Sequence, residues 1–286
     1  KGDTIADWTW TTTGGWGQSF LHGDKVAPGT SPSAVIVNGT LNVFFVDAEK
    51  GDTIADWTWT TTGGWGQYFL YGDAAATGTS PSALIYEGNP HVFFVDAEKG
   101  ETIADWTWTT TGGWGQYFLY GDALAPGTSP SAAIVNGAPH VFFVDAAKGD
   151  TITDWVWNPT GGWGQYFLHG DAAAPDTSPS VVQVGSTPNV FFVDAAKGET
   201  LTDWVWNSGT GWDQQFLYGD KVAPGTSPSA IAAEDQTHAF FVDVTRGNRL
   251  TDWNWSQGAG WHETRLEGGH AATAGTSPVA WIWEAP

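Results

Sequence analysis

Residues 4–52 read TIADWTWTTTGGWGQSFLHGDKVAPGTSPSAVIVNGTLNVFFVDAEKGD. The chain repeats this 49-residue sequence with substitutions, and the later copies start near Thr53, Thr102, Thr151, Thr200 and, in a more divergent form, Arg249. A fixed period of this size is typical of proteins built from copies of one supersecondary unit. The period therefore predicts six copies of one unit, and the lack of any linker between them predicts a single domain over residues 1–286.

Each repeat contains four short runs that read as β-strands separated by turn residues. Counted from Ser31, these runs are SPSAVIV (31–37), NVFFVDA (42–48), TIADWTW (53–59) and WGQYFLY (65–71). The second run is almost continuously apolar, as in a strand covered on both faces. The third run alternates, so Asp56 is expected on the face opposite Trp57 and Trp59, and these two indoles are expected to pack in the core. Residues 49–52 are expected to form a hairpin turn.

Four antiparallel strands in each unit of this length are the signature of a β-propeller. The predicted fold is therefore all-β: a six-bladed β-propeller of four-stranded antiparallel blades. The chain opens with a third and a fourth run (4–22) and ends with a first run (277–284), so we expect the N- and C-terminal strands to close the ring. The closing blade then either has three strands or receives its second strand from residues that precede Lys1.

The composition limits the classes of partner. The formal net charge is −21, and the chain contains no cysteine. Phosphate binding needs a basic surface, so nucleic acid and anionic membranes are not expected partners. Disulfides and thiolate metal sites are excluded, and no apolar run approaches the roughly 20 residues of a membrane span. Either a secreted or a soluble cytoplasmic location fits this composition.

One tryptophan in each repeat follows a Gly-Gly or equivalent turn at the start of the fourth run. An indole at a blade edge can present its face to the cleft between blades, where it would hold the partly apolar face of a pyranose. The alternative is that these indoles fill space between neighbouring sheets. They are Trp16, Trp65, Trp114, Trp163, Trp212 and Trp261.

A carboxylate lies in the middle of each third run, directly before a tryptophan. Burial of this group is unfavourable unless it is hydrogen-bonded or reaches a wet cleft. It is either an acceptor for sugar hydroxyls or a structural acceptor for backbone or indole N–H groups. The residues are Asp7, Asp56, Asp105, Asp154, Asp203 and Asp252.

Histidine or asparagine stands at the start of each second run. Both residue types can donate to a sugar oxygen, and the replacement of one by the other argues against catalysis and against metal ligation. These residues fit either ligand binding or a strand cap. They are Asn42, His91, His140, Asn189 and His238.

Other carboxylates precede the predicted hairpin turn, and we expect them to be solvated rather than to bind Ca²⁺, because a lysine follows in most repeats. They are Asp47, Asp96, Asp145, Asp194 and Asp243. Active sites usually break internal symmetry, yet the polar residues unique to one repeat, such as His262, Glu263 and Arg265, lie in the divergent last unit. We therefore expect no enzyme activity, no catalytic residue, no metal site and no cofactor.

The motifs SPSA, VFFVD, IxDWxW and GGW, in this register along the whole chain, resemble those of the β-propeller lectins. The resemblance is closest to the six-bladed fungal fucose-binding lectins of the Aleuria type and extends to tectonin-like and Photorhabdus-type propellers. In the fucose-binding family the sugar lies between adjacent blades, held by an arginine on the second strand, a glutamate on the third strand and a nearby tryptophan.

Carried over by position, the resemblance implies that the acid corresponds to the Asp56 series and the tryptophan to the Trp65 series. The arginine position corresponds to the asparagine and histidine series of the second run, and neither side chain is equivalent to a guanidinium with five fixed donors. The resemblance thus implies a carbohydrate cleft, and specificity among fucose, O-methylated and other sugars must be sought at this position.

Two functions follow from the sequence. The first is a multivalent lectin that binds glycans or glycoconjugates between adjacent blades, either alone or as a homo-oligomer, with avidity from several weak sites. The alternative is a protein-interaction scaffold that uses one face of the propeller and binds no glycan. A protein partner requires a singular surface, whereas the loops of this chain are nearly uniform.

Overall fold

The computed structural model describes residues 4–11, 13–233, 235–266 and 271–280. Within them the chain forms antiparallel β-sheets joined by turns and by short 3₁₀ helices, which confirms the all-β prediction. The chain divides into two compact units, Lys1–Gly121 and Asp122–Pro286. The helices of the described residues are too short to span a membrane.

The first unit contains one two-stranded sheet and two four-stranded sheets. The two-stranded sheet is formed by β1 (Ile5–Thr11) and β2 (Gly15–Leu21). The second sheet is formed by β3 (Ser33–Val37), β4 (Thr40–Asp47), β5 (Thr53–Thr60) and β6 (Gly64–Leu70). The third sheet is formed by β7 (Ser82–Tyr86), β8 (Asn89–Asp96), β9 (Thr102–Thr109) and β10 (Gly113–Leu119).

The second unit contains three four-stranded sheets. The first is formed by β11 (Ser131–Val135), β12 (Ala138–Asp145), β13 (Thr151–Asn158) and β14 (Gly162–Leu168). The second is formed by β15 (Ser180–Val184), β16 (Thr187–Asp194), β17 (Thr200–Asn207) and β18 (Gly211–Leu217). The third is formed by β19 (Ser229–Ala233), β20 (Gln236–Asp243), β21 (Arg249–Ser256) and β22 (Gly260–Arg265).

Each four-stranded sheet is a meander in which neighbours in sequence pair antiparallel, so each contains the four runs predicted from the sequence. Paired residues share a face of the sheet. Asp56 lies opposite Phe44 and Tyr68, and this side is called the aspartate face. Trp57 lies opposite Val43 and Gln67 on the other side, called the tryptophan face. The same two faces exist in every four-stranded sheet.

Within each unit, the aspartate face of one sheet packs against the tryptophan face of the next. In the first unit, Phe44 and Ile54 share a buried cluster with Phe94 and Trp106. In the second unit, Phe142 shares a cluster with Phe192 and Trp204, and Phe191 shares one with Phe241 and Trp253. In the four-stranded sheets the first tryptophan of the third-strand pair is therefore a core residue, as predicted, with exposed fractions between 5% and 9%.

Serine side chains join the first strands of neighbouring sheets within a unit. The backbone N–H of Ala83 donates to Oγ of Ser33 over 3.0 Å, and the N–H of Ser31 donates to Oγ of Ser80 over 2.8 Å. In the second unit the N–H of Val181 donates to Ser131 over 3.1 Å. The repeated Ser-Pro-Ser motif thus satisfies backbone groups at a sheet edge that has no strand partner.

The predicted first run at 277–284 lies only partly within the described residues. The N–H of Ser227 donates to Oγ of Ser277 over 2.8 Å, and the N–H of Ala280 donates to Oγ of Ser229 over 2.9 Å. Residues 277–280 thereby make the same serine-mediated contacts with β19 and the residues just before it that the first strands make elsewhere in this unit, although they are not assigned as a strand. Residues 281–286 fall outside the described residues, so strand closure and a single domain over 1–286 stay predictions.

The expected hairpin turn between second and third strands is a single-turn 3₁₀ helix in four of the repeats. These helices are Ala48–Lys50, Ala97–Lys99, Ala146–Lys148 and Val244–Arg246. Asp47 caps the first by accepting from the N–H of Glu49 over 2.9 Å, and Gly51 ends it at φ 76°, where glycine is favoured.

The aspartates that precede these turns are not solvated, so that prediction was wrong. Asp47, Asp96, Asp145, Asp194 and Asp243 are all 0% exposed. Burial raises the pKa of Asp47 to about 6, although the backbone hydrogen bond from Glu49 opposes the shift. Each of these aspartates accepts a hydrogen bond from a backbone N–H of the turn that follows it. The residues are buried because this turn lies at a covered end of the sheet. The lysine expected to repel a cation instead pairs with a different carboxylate, Lys50 with Asp24 at 3.1 Å.

The shared clusters predict which phenylalanines hold the sheets together. Phe192→Ala should lower the free energy of unfolding by about 3–5 kcal/mol, because a fully buried ring is replaced by a cavity between two sheets. Tyr218→Ala removes a ring that is 70% exposed and should change it by less than about 0.5 kcal/mol. Urea unfolding of both variants compares the two values, and equal shifts would contradict the packing described here.

Candidate functional site

Three clefts between neighbouring four-stranded sheets each lie wholly within one unit. The Asn42 cleft lies between the sheets β3–β6 and β7–β10. The His140 cleft lies between β11–β14 and β15–β18, and the Asn189 cleft lies between β15–β18 and β19–β22. Each is bounded by the aspartate face of the first sheet and the tryptophan face of the second.

The tryptophan that follows the glycine turn reaches the aspartate face of the preceding sheet. Its ring lies edge-on to a phenylalanine there at a centroid distance of 5.6–5.7 Å. The three pairs are Phe44 with Trp114, Phe142 with Trp212, and Phe191 with Trp261. These tryptophans are half-buried, so each fills space between sheets and also exposes part of its ring.

The remaining members of this tryptophan series are placed as follows. Trp65 is half-buried and packs against a cluster that contains Val43, Phe45 and Leu21. Trp163 is also half-buried. The side chain of Trp16 lies outside the part that the structure describes, as do those of Trp8 and Trp10.

In the four-stranded sheets the second tryptophan of the third-strand pair is not a core residue, which corrects the sequence prediction. Trp59 is 43% exposed, Trp108 is 40% exposed and Trp206 is 38% exposed. Each lies at the end of its strand and packs edge-on against the tryptophan of the turn, as in the pair Trp108–Trp114 at 5.9 Å. The alternation of the strand places both indoles on one face, but only the first reaches the interior. The cleft is therefore bordered by an aromatic pair.

The third-strand aspartates are buried beneath the cleft. Asp56, Asp105, Asp154, Asp203 and Asp252 are between 0% and 5% exposed, whereas Asp7 in the two-stranded sheet is half-buried. The register places each buried aspartate two residue pairs away from the histidine or asparagine of the adjacent strand, and therefore on the same face. The two predicted series therefore come together.

Histidine binds directly to the aspartate in three sheets. Nδ1 of His91, His140 and His238 lies 2.8 Å from Oδ2 of Asp105, Asp154 and Asp252, respectively. A carboxylate oxygen is an acceptor, so Nδ1–H is the donor. This leaves Nε2 as the imidazole atom that can meet a ligand. His140 keeps 14% of its side chain exposed, while the Asp154 side chain keeps 3%.

Where asparagine replaces the histidine, the hydrogen bonds at this position are different. In the Asn42 cleft, Thr58 Oγ1 lies 2.7 Å from Oδ2 of Asp56 and 3.0 Å from Oδ1 of Asn42, so its one proton is directed to one of them at a time. Nδ2 of Asn42 donates to the carbonyl of Thr40 over 3.0 Å. Threonine at this position was missed in the sequence analysis, although it lies two residues after the aspartate and hence on the same face.

Asp203 differs from the other buried aspartates. Val205 stands where the sheet β3–β6 has Thr58, and the Nδ2 of Asn189 donates to the carbonyl of Thr187 over 3.1 Å. Neither carboxylate oxygen accepts a hydrogen bond from a side chain of the described residues. Burial raises the pKa of Asp203 well above its ordinary value, and the backbone N–H of Val190 opposes this shift. The Asn189 cleft thus contains a buried carboxyl group that no side chain of the described residues hydrogen-bonds.

Burial also raises the pKa of other aspartates in these clefts. The pKa of Asp56 rises to about 6 through burial, against the hydrogen bond from Thr58. The pKa of Asp154 is raised for the same reason, against the hydrogen bond and the charge of His140. Buried acids held in this way orient the neighbouring side chain rather than meet solvent.

The outer strand of each sheet adds a residue to the cleft that the sequence analysis also missed. It lies directly opposite the buried aspartate, and it is Tyr68, Tyr117, Tyr166, Gln215 or Thr264. The three tyrosines are 55–61% exposed. Because side chains alternate between the two faces of a strand, the position of each tyrosine in the fourth run could have shown that it shares a face with the aspartate.

Three carboxylates approach one another in the last sheet: ligand oxygens of Asp220, Asp243 and Glu263 lie within 4.8 Å. Arg265 lies beside them, 3.6 Å from Asp220 and 3.6 Å from Glu263. Burial raises the pKa of Asp243 and of Glu263. The positive charge of the Arg265 guanidinium offsets the negative charge of these acids, so their proximity does not require a bound ligand.

In sequence, the chain matches no protein-family model and no curated protein. In structure it is similar to AofleA from Arthrobotrys oligospora, with 19% identity and a TM-score of 0.66 over 94% of this chain and 84% of that one. It is also similar to the Aleuria aurantia lectin, described as having a six-bladed β-propeller fold and a novel fucose recognition mode. That comparison gives 18% identity and a TM-score of 0.61 over 96% of this chain and 92% of that one.

A third similar structure is the lectin SapL1, solved in complex with α-methyl fucoside. It has 20% identity and a TM-score of 0.64 over 87% of this chain and 84% of that one. These comparisons confirm the six-bladed β-propeller fold that the repeat predicted, and they confirm the resemblance in fold to the Aleuria-type lectins.

The buried Asp56 predicts a pH-dependent stability difference. Its pKa in the folded chain, about 6, exceeds the ordinary value of 3.8, so the folded state retains the proton more tightly. This group therefore lowers stability as pH rises from about 4 to about 6. Asp56→Asn removes that ionisation, and its unfolding free energy relative to the native chain should increase by up to about 3 kcal/mol between acid and neutral pH.

Urea unfolding at several pH values measures this difference. Asp213→Asn is the control, because Asp213 is exposed and hydrogen bonds from Thr210 and Asn207 lower its pKa. The control should lose stability relative to the native chain as pH rises, which is the opposite direction. Parallel curves for native chain and Asp56→Asn would show that Asp56 titrates normally.

Proposed function

We propose that the chain is a multivalent lectin that binds saccharides in the clefts between adjacent sheets. One observation carries the proposal: in each described cleft a half-buried tryptophan of one sheet lies at the rim of a face that contains a buried aspartate and a histidine or asparagine. An aromatic surface next to a few fixed polar groups is the arrangement that holds a pyranose.

The polar groups have different tasks in this proposal. The aspartates are almost fully buried, so a sugar hydroxyl meets the histidine Nε2 or the asparagine amide before it meets a carboxylate. The carboxylate fixes the imidazole orientation through Nδ1, which leaves Nε2 to contact the ligand. We therefore assign ligand contact to the tryptophan and to His140 or Asn42, and a positioning role to Asp154 or Asp56.

The similar structures support a sugar ligand and suggest the first sugar to test. SapL1 was solved with α-methyl fucoside, and the Aleuria aurantia lectin is described by its fucose recognition. This chain carries histidine or asparagine where an arginine is expected from the family pattern. An imidazole or a carboxamide offers fewer donors than a guanidinium, so we propose fucosides together with O-methylated sugars as candidate ligands.

Binding rather than catalysis fits the repetition of the clefts. Three histidine–aspartate pairs with the same 2.8 Å separation occur in three sheets, whereas a catalytic site needs different groups with different tasks. Several weak sites on one molecule increase affinity for a glycan-covered surface without any new contact. A homo-oligomer would extend the same effect.

A glycan array that includes neutral, acidic and O-methylated sugars tests the proposal, together with agglutination of cells that carry the bound glycan. We expect binding to a defined sugar class that the free sugar competes away. A blank array and no agglutination across all three classes would refute the lectin function and would favour the scaffold alternative.

A pair of tryptophan variants tests the cleft. Trp212→Ala should remove one binding site and leave the others, because this half-buried ring borders only the His140 cleft among the clefts described. Trp204→Ala removes a core ring that is 5% exposed and should instead destabilise the fold by about 3–5 kcal/mol. Calorimetric titration gives the number of sites and thermal unfolding gives the stability. An unchanged number of sites in a folded Trp212→Ala protein would place the ligand elsewhere.

A further inference from the structure

The three described clefts differ in the hydrogen bonding of their tryptophan. In the Asn189 cleft, Nε1–H of Trp261 donates to Oε1 of Gln215 over 3.1 Å. These residues belong to the outer strands of two adjacent sheets, β18 and β22, so the bond crosses the mouth of the cleft. Gln215 is exposed and Trp261 is half-buried, which places the bond where a ligand would enter.

The other two clefts have tyrosine at the position of Gln215. Tyr68 and Tyr166 lie back along their own strands, each over a glycine: a Cβ built on Gly66 would lie 3.4 Å from the Tyr68 ring, and one on Gly164 would lie 3.5 Å from Tyr166. Each ring therefore stays with its own sheet. Among the described residues, the indole N–H groups of Trp114 and Trp212 have no hydrogen-bond partner, so they stay available to a ligand.

The residue two positions earlier changes together with the tyrosine. Asp213 stands where Gly66 and Gly164 stand in the other sheets, and it is held by Asn207 at 2.8 Å and Thr210 at 2.6 Å. A tyrosine at 215 could not fold back over this side chain as it does over glycine. With Asp213 and Gln215 together, this cleft has a hydrogen bond between two sheets where the other clefts have a tyrosine ring beside the opening.

The floor of the same cleft is also different. Asp203 accepts no side-chain hydrogen bond from the described residues. In the Asn42 cleft Asp56 is hydrogen-bonded by Thr58, and in the His140 cleft Asp154 is hydrogen-bonded by His140. A sugar hydroxyl that entered the Asn189 cleft would first have to break the hydrogen bond between Gln215 and Trp261. The sugar would then have to supply new hydrogen-bond partners for the Gln215 amide and the Trp261 indole N–H. In the His140 cleft the imidazole Nε2 and the Trp212 indole are available without any such exchange.

We propose that Gln215 closes the Asn189 cleft, and that the residue opposite the buried aspartate on the outer strand determines which clefts bind a saccharide. A tyrosine at this position that packs over the glycine two residues earlier leaves the cleft open. A glutamine at this position, with Asp213 two residues earlier, closes it. This inference rests on the proposed lectin function and limits its valency: the number of bound sugars is smaller than the number of repeats.

Crystals of the native chain soaked with α-methyl fucoside test the inference; if the glycan array favours another monosaccharide, its methyl glycoside is used. We expect sugar in the Asn42 and His140 clefts and none in the Asn189 cleft. Sugar in the Asn189 cleft of the native chain would overturn the inference while leaving the lectin function intact. No sugar in any cleft, with a blank array, would instead refute the proposed function.

Two reciprocal double variants make the test independent of the crystal. Asp213→Gly with Gln215→Tyr copies the open pattern into the closed cleft, and calorimetric titration should then show one additional site. Gly164→Asp with Tyr166→Gln copies the closed pattern into the His140 cleft and should remove one. Unchanged stoichiometry in both folded proteins would overturn the inference.

A smaller change covers the case in which a double variant does not fold. Gln215→Ser places at this position the residue that the first repeat carries, Ser19, whose side chain is too short to reach an indole on the next sheet. The soaked crystal of this variant should contain sugar in the Asn189 cleft. A cleft that stays empty in Gln215→Ser while the others fill would show that Gln215 is not what closes it.

Discussion

The packing of an aspartate face against a tryptophan face is the interaction on which the rest of this structure depends. A single four-stranded sheet has two apolar sides and cannot bury either by itself. Phe44 and Ile54 on one sheet and Phe94 and Trp106 on the next form a continuous buried cluster, and the same arrangement recurs in the second unit. Every cleft, and every polar group near it, lies at the edge of such an interface.

This packing explains why carboxylates are buried. The alternation of the third strand forces Asp56 onto the face that the next sheet covers, so its charge is unfavourable and its pKa rises. The chain compensates with neighbours on the same face, either a histidine at 2.8 Å or a threonine at 2.7 Å. Where no such neighbour exists, as at Asp203, burial raises the pKa well above its ordinary value. The acids therefore act through the side chains that they orient.

The same interface explains how one repeat produces different clefts. The backbone is nearly identical from sheet to sheet, so a single substitution changes the surface of one cleft without changing the fold. The second strand carries histidine in some sheets and asparagine in others, and the outer strand carries tyrosine in three sheets and glutamine in another. A repeat protein of this kind can keep its core constant while its sites diverge, because core residues and cleft residues lie on different parts of each strand.

The repeat, the four strands of each unit, the two faces of the third strand and the series of tryptophan, aspartate and histidine or asparagine could all be predicted from the amino-acid sequence. These follow from local periodicity, which depends only on neighbouring residues. Three features could be seen only in the folded chain: Asp47 is a buried cap, Trp108 is exposed and Gln215 accepts a hydrogen bond from Trp261. Such contacts join residues on different strands or sheets, so they depend on how sheets pack, which a local pattern does not contain.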